Sequence, residues 1–192
     1  MIAPLIAALV LTSLPQDKPF PSGPVGISSI TDVYGQEHTL SSKGGRATVL
    51  LFIAVDCPIS NRYAPEIGRI VDEYGRKRFQ FFRVYADPDV TTELVDKHGK
   101  DFKLNFPAII DKDHRLVAAV GASVTPQAAV IGTDGTLLYR GRIDDLYLDH
   151  GKFKEDPSRR DLRIALDEVL ARKPVSVKQT LPVGCAIPDL ER

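Results

Sequence analysis

The chain has 192 residues, 43% apolar and 26% charged, a size and balance that suit one compact domain with a full core. Lys plus Arg equals Asp plus Glu at 25 each, so the formal net charge is zero and the total gives no footing to a nucleic-acid partner. Short basic runs such as Arg76-Lys77-Arg78 and Arg159-Arg160 read as solvated helix faces.

Ile2 to Leu14 is apolar except for Thr12 and Ser13, and the polar, proline-rich stretch Pro15 to Pro24 follows it. This is the pattern of a secretory leader, so residues 1–20 are read as a signal peptide and leader, and the protein as exported, periplasmic or extracellular. The run is shorter than the roughly 20 apolar residues of a membrane span, and no stable span is expected after processing. No Lys or Arg precedes the run and no small-x-small cleavage site follows it, which leaves a buried N-terminal segment as the alternative.

Ile27 to Leu40 carries β-prone pieces around the turn-like centre Asp32-Val33-Tyr34-Gly35-Gln36, which predicts a hairpin. Ser41 to Arg46 is a polar loop. Ala47 to Val55 is almost wholly apolar and rich in β-branched residues, the pattern of a central strand covered on both faces. Ile67, Ile70, Val71 and Tyr74 recur at helical spacing, with Pro65 within or near that helix. Phe79 to Ala86 predicts a second strand, and a second helix starts near Asp89 or Thr91. Phe106 to Ile110 and Leu116 to Val120 are short apolar pieces, and Gln127 to Arg140 is a hairpin turning at Asp134-Gly135. Leu162, Ala165, Leu166, Val169 and Leu170 mark the clearest helix, with Ser158 and Asp161 as a capping box. Lys173 to Arg192 has three prolines, no helical period and one of the two cysteines, so it is read as a tail that folds back or stays mobile.

Cys57-Pro58-Ile59-Ser60 stands at the junction of the central strand and its helix. The first turn of a helix offers unpaired N–H groups and the positive end of the dipole, which favour a thiolate over a thiol of ordinary pKa about 8.5. Pro58 suits the first helical position. Asp56 works against ionisation unless its carboxylate is solvated or paired. Cys57 is therefore the candidate nucleophile. Cys185, in Pro182-Val183-Gly184-Cys185, follows the last helix by about a dozen residues, which at up to ~3.5 Å each can span the radius of a small domain. A Cys57–Cys185 disulfide is geometrically open, as are a static staple, pairing between chains and a free thiol.

In this order the chain resembles the redoxin group that includes thiol-disulfide oxidoreductases and alkyl hydroperoxide reductase/thiol-specific antioxidant proteins. The carriers are Phe52 to Ser60, Thr125-Pro126, Asp134-Gly135 and Tyr139-Arg140-Gly141-Arg142-Ile143-Asp144, within residues 25–172. The resemblance implies an α/β, thioredoxin-like fold, a central mixed β-sheet flanked by helices with an N-terminal β-hairpin extension, and it leaves residues 173–192 as the tail. It implies that Thr125 and Pro126 face Cys57 as the substrate groove, Thr125 pairing with an extended substrate segment. It also implies an arginine beside the thiolate, from Arg62, Arg140 or Arg142.

The second cysteine of the common Cys-x-x-Cys motif is replaced here by Ser60, a candidate hydrogen-bond donor to the Cys57 sulfur that cannot act as a resolving thiol. Cys185 or an external thiol must resolve. The threonine that peroxiredoxins place three residues before their cysteine is Ala54 here, which disfavours the peroxidase alternative. The expected activity is thiol-disulfide exchange at Cys57 with no cofactor, on protein thiols and disulfides, with a hydroperoxide as the alternative substrate. A non-enzymatic binding module or copper chaperone is the other alternative, though a Cys-x-x-x-Cys pair is missing because Asn61 fills its last place. His38, His98, His114 and His150 are scattered, so no metal site is assigned, and His114 is read as a solvated turn residue. Asp144-Asp145 is expected to pair with nearby arginines.

Overall fold

A computed structural model describes residues 19–40 and 44–190. The leader reading falls on residues 1–18 and lies outside the described residues, apart from its last two positions. Along the chain run β1 (Ser29–Thr31), β2 (Glu37–Thr39), β3 (Ala47–Phe52), α1 (Pro58–Gly75), β4 (Gln80–Tyr85), α2 (Thr92–Asp101), β5 (Ala108–Ile110) and α3 (Arg115–Val120). They are followed by β6 (Val124–Thr125), β7 (Gln127–Gly132), β8 (Leu137–Gly141), β9 (Tyr147–Asp149), β10 (Lys152–Phe153), α4 (Asp161–Leu170) and β11 (Cys185–Ala186).

The main sheet has the order β5-β4-β3-β7-β8. Its β3–β4 and β4–β5 pairs are parallel and its β3–β7 and β7–β8 pairs antiparallel, a mixed sheet with β3 at its centre. Every residue of β3 is buried, which accounts for the unbroken apolar run. Successive side chains point to opposite faces. Val49 and Leu51 pack with Ile67, Ile70 and Leu166, beneath α1 and α4. Leu50 and Phe52 pack with Leu116 and Val120 of α3 and with Ile30 of the β1–β2 hairpin. No helix among the described residues is long and apolar enough to cross a membrane.

Leu116 to Val120, a short apolar piece in the sequence, is helical, and both oxygens of Asp111 accept the N–H groups of Leu116 and Val117, at 3.1 and 2.9 Å, and seed the turn. The capping box at α4 is absent. Its N-cap is Arg160, without a side-chain bond, while Asp161 accepts from Arg142 and Arg159, and the Ser158 hydroxyl accepts from Lys154. An aspartate with two guanidiniums in reach gains more from charge-assisted bonds than from one backbone N–H.

After α4 the tail folds back along the outer edge of β8. The Arg140 N–H donates to the Lys178 carbonyl at 2.9 Å, and the Thr180 N–H returns to the Arg140 carbonyl at 3.1 Å. Gly141 permits this approach, since a Cβ there would overlap Thr180. The tail thus covers a sheet edge that would otherwise be exposed.

Candidate functional site

Cys57 is the N-cap of α1, with Pro58 at the first helical position and an extended backbone at φ −82° and ψ 109°. Its sulfur accepts the Ser60 backbone N–H at 3.5 Å, a long contact within the range for sulfur. The central strand ends against the core, so the cysteine behind it is carried into the interior, and Cys57 is 1% exposed. Asp56 beside it is exposed, where water screens its charge.

Thr125 and Pro126, joined by a cis peptide, lie across from the cysteine. The Cys57 Sγ stands 3.2 Å from the Thr125 carbonyl oxygen, an acceptor within reach of its proton when the cysteine is a thiol. β11 pairs antiparallel with β6, Cys185 opposite Thr125 and Ala186 opposite Val124. Cys57 and Cys185 are joined as a disulfide across 128 residues, with their Cα atoms 6.0 Å apart. A cleft of about 150 Å³, lined in part by Ala54, Asp56, Asp87 and Thr125, lies beside Cys185.

The structure therefore brings together Cys57, Pro58, Ser60, Thr125, Pro126 and Cys185. It sends the arginines elsewhere. The Arg62 guanidinium stacks 3.9 Å over the Phe153 ring, Arg142 bonds Asp161 at 2.7 Å, and Arg140 donates to the Val120 and Gly121 carbonyls at 3.1 Å. Each has a carboxylate, carbonyls or an aromatic face close to its own strand or helix, and those partners claim it. Ser60 meets the sulfur through its backbone N–H, and its hydroxyl accepts the Ala54 N–H at 3.4 Å. Asp144 accepts from the Tyr63 hydroxyl and Asp145 from Lys154, rather than from arginine side chains. His114 is half-buried and donates to the Ala86 carbonyl at 2.6 Å, not free in solvent. Among the described residues no three His, Cys, Asp or Glu side chains are grouped to hold a metal.

A polar chain unmarked by any motif braces the loop before Cys57. The Asn61 side-chain amide donates to the Val55 carbonyl at 3.1 Å, and its oxygen meets His98 Nε2 at 2.8 Å. With Asn61 so oriented, Nε2 carries the proton and Nδ1 accepts from the Tyr85 hydroxyl at 2.7 Å. The bond that Nδ1 accepts requires a neutral ring. Burial, and then the Arg83 charge, push the His98 pKa below its ordinary value. The sole sequence signal was a histidine on the apolar stripe of α2.

His98 titrates near 6.5 in the unfolded chain and lower in the fold, so the unfolded state binds more protons as pH falls. This contribution to stability is complete above about pH 6.5 and is lost progressively below it, down to the folded value. Urea unfolding at pH 7.5 and 5.5 should show wild type losing more stability than His98→Leu. The variant should be about 2–3 kcal/mol less stable at pH 7.5, having left Asn61 and Tyr85 without their partner. Equal pH dependence of the two proteins would contradict the neutral-ring assignment.

Residues 25–140 match the family model described as the AhpC/TSA family. A thiol-disulfide oxidoreductase ResA of Halalkalibacterium halodurans is 27% identical over 111 residues, 57% of this chain and 61% of that protein. A ResA of Geobacillus kaustophilus is 26% identical, over 55% of this chain and 60% of the relative. The chain thus spans about three fifths of the length of these curated relatives. An uncharacterized conserved protein of Geobacillus kaustophilus superposes with a TM-score of 0.76 at 25% identity, covering 91% of this chain and 95% of its own. A candidate thioredoxin of Neisseria meningitidis gives 0.60 at 23% identity over 78% and 91%, a likeness of fold. The fold is thioredoxin-like, as the sequence resemblance implied.

Proposed function

The chain belongs to the AhpC/TSA family, and from that premise we propose that it is an exported thiol-disulfide oxidoreductase whose redox pair is Cys57 and Cys185. The observation that carries this reading is the junction of the two sulfurs beside Thr125-Pro126, at a helix N-terminus. The leader-like N-terminal run supports export, and the tail over residues 173–192 is read as an arm attached to a redox domain over residues 25–172.

The Cys57 thiolate, favoured by the Ser60 N–H and the dipole of α1, attacks one sulfur of a protein disulfide. The S–S bond breaks, a mixed disulfide forms, and the leaving substrate thiolate takes a proton from water. The Cys185 thiolate then attacks the Cys57 sulfur, expels the second substrate thiolate and closes the Cys57–Cys185 bond. The substrate gains two electrons and the chain loses them. An external thiol reductant reverses this. Cys57 is covered while Cys185 is half-exposed, so the reductant attacks the Cys185 sulfur and Cys57 departs as the stabilised thiolate.

Peptide mass mapping of the full chain tests the pair. After dithiothreitol both cysteines should alkylate. After stoichiometric glutathione disulfide, the Cys57 and Cys185 peptides should be linked, with the loss of two hydrogens, and dithiothreitol should reverse it. Recovery of both as free thiols, or as separate glutathione adducts, would overturn the reading.

A further inference from the structure

The tail lies in the groove in the manner of a guest. Cys185 and Ala186 form a strand against Thr125 and Val124, and the Ile187 N–H donates to the Ser123 carbonyl at 3.0 Å. Such pairing holds an extended segment by its backbone, so selectivity must come from side chains. Two positions supply it. A Cβ on Gly184 would overlap the carbonyl oxygen and carbon of Thr125, backbone atoms that cannot rotate aside. Ile187, two residues beyond Cys185, packs against the cluster containing Phe52 and Leu116. The Thr125 hydroxyl, buried beneath this segment, has no hydrogen-bond partner.

We propose that Gly184–Ile187 is a tethered copy of the segment this groove is built to take. The substrate is an extended stretch of a partner protein in which glycine directly precedes the reactive cysteine and an aliphatic residue stands two positions after it. It enters once reduction frees the tail. The proposal rests on Cys57 being the nucleophile. It narrows the substrate class from protein disulfides in general to those whose cysteine has no side chain immediately before it.

The test uses the full-length Cys185→Ser chain, reduced, and two peptides, Pro-Val-Gly-Cys-Ala-Ile-Pro and Pro-Val-Ala-Cys-Ala-Ile-Pro. Each peptide's cysteine is held as a mixed disulfide with thionitrobenzoate. The Cys57 thiolate attacks the peptide sulfur, the peptide–Cys57 disulfide forms, and coloured thionitrobenzoate leaves with the electron pair. The glycine peptide should react roughly tenfold faster than the alanine peptide, the rate factor of one tenfold step in affinity. A third peptide with serine in place of isoleucine should also lag behind the first. Equal rates for the glycine and alanine peptides, both well above those with the Cys57→Ser, Cys185→Ser chain, would overturn the specificity while leaving Cys57 as nucleophile. Rates no higher than those of that double variant would overturn both.

Discussion

Replacing Cys57 by serine should cut the reaction of the reduced chain with a protein disulfide by roughly a thousandfold or more, the scale of losing a nucleophile outright. A serine hydroxyl at the α1 N-cap still accepts an N–H but is not ionised at neutral pH, and the chain's other thiol belongs to the tail. Cys185→Ser should behave differently. The first step should keep its rate, since Cys57, Pro58 and the Ser60 N–H are untouched, and the reaction should stop at a mixed disulfide on Cys57. Thiol release measured at one equivalent for Cys185→Ser and two for wild type would establish this division of labour. Two equivalents from Cys185→Ser without added thiol would contradict a resolving role for Cys185.

Reduction should also lower the thermal unfolding midpoint by on the order of 10 °C. The bond closes a loop of 128 residues, for which chain entropy gives about 5 kcal/mol, and each kcal/mol shifts a domain of this size by about 2–4 °C. The tail's backbone bonds to Arg140 of β8 persist after reduction and only its pairing with β6 opens, so the shift should fall toward the lower end of that product. A double Cys57→Ser, Cys185→Ser protein should unfold at the reduced midpoint and ignore dithiothreitol. An unchanged wild-type midpoint in dithiothreitol would mean that the bond restrains only a tail that contributes nothing to the fold.

The central features were legible because they depend on local pattern. The run from Ala47 to Val55 could satisfy itself only between two covered faces, and β3 is buried throughout. Pro58 beside Cys57 signalled a helix start, and the thiol sits at that cap. What the sequence does not show depends on long-range geometry. The three arginines of the sequence reading differ in nothing visible along the chain, yet Asp161, Phe153 and the carbonyls after α3 direct each away from the sulfur. The brace from His98 through Asn61 to Val55 joins two helices and a loop, and no spacing encodes it. The sequence alone allows the tail either to fold back or to stay mobile. Its true path was hinted at by Gly184 alone, the residue without a side chain where it meets Thr125.

The proposed reaction turns on which sulfur meets the substrate first. Reduced wild-type chain mixed rapidly with a disulfide substrate, quenched with acid at successive times and mapped by mass spectrometry, should show the substrate first on Cys57. That adduct should then decay as the Cys57–Cys185 link appears at the same rate. An adduct that forms first on Cys185, or a link that grows before any adduct on Cys57, would contradict the assignment of Cys57 as nucleophile.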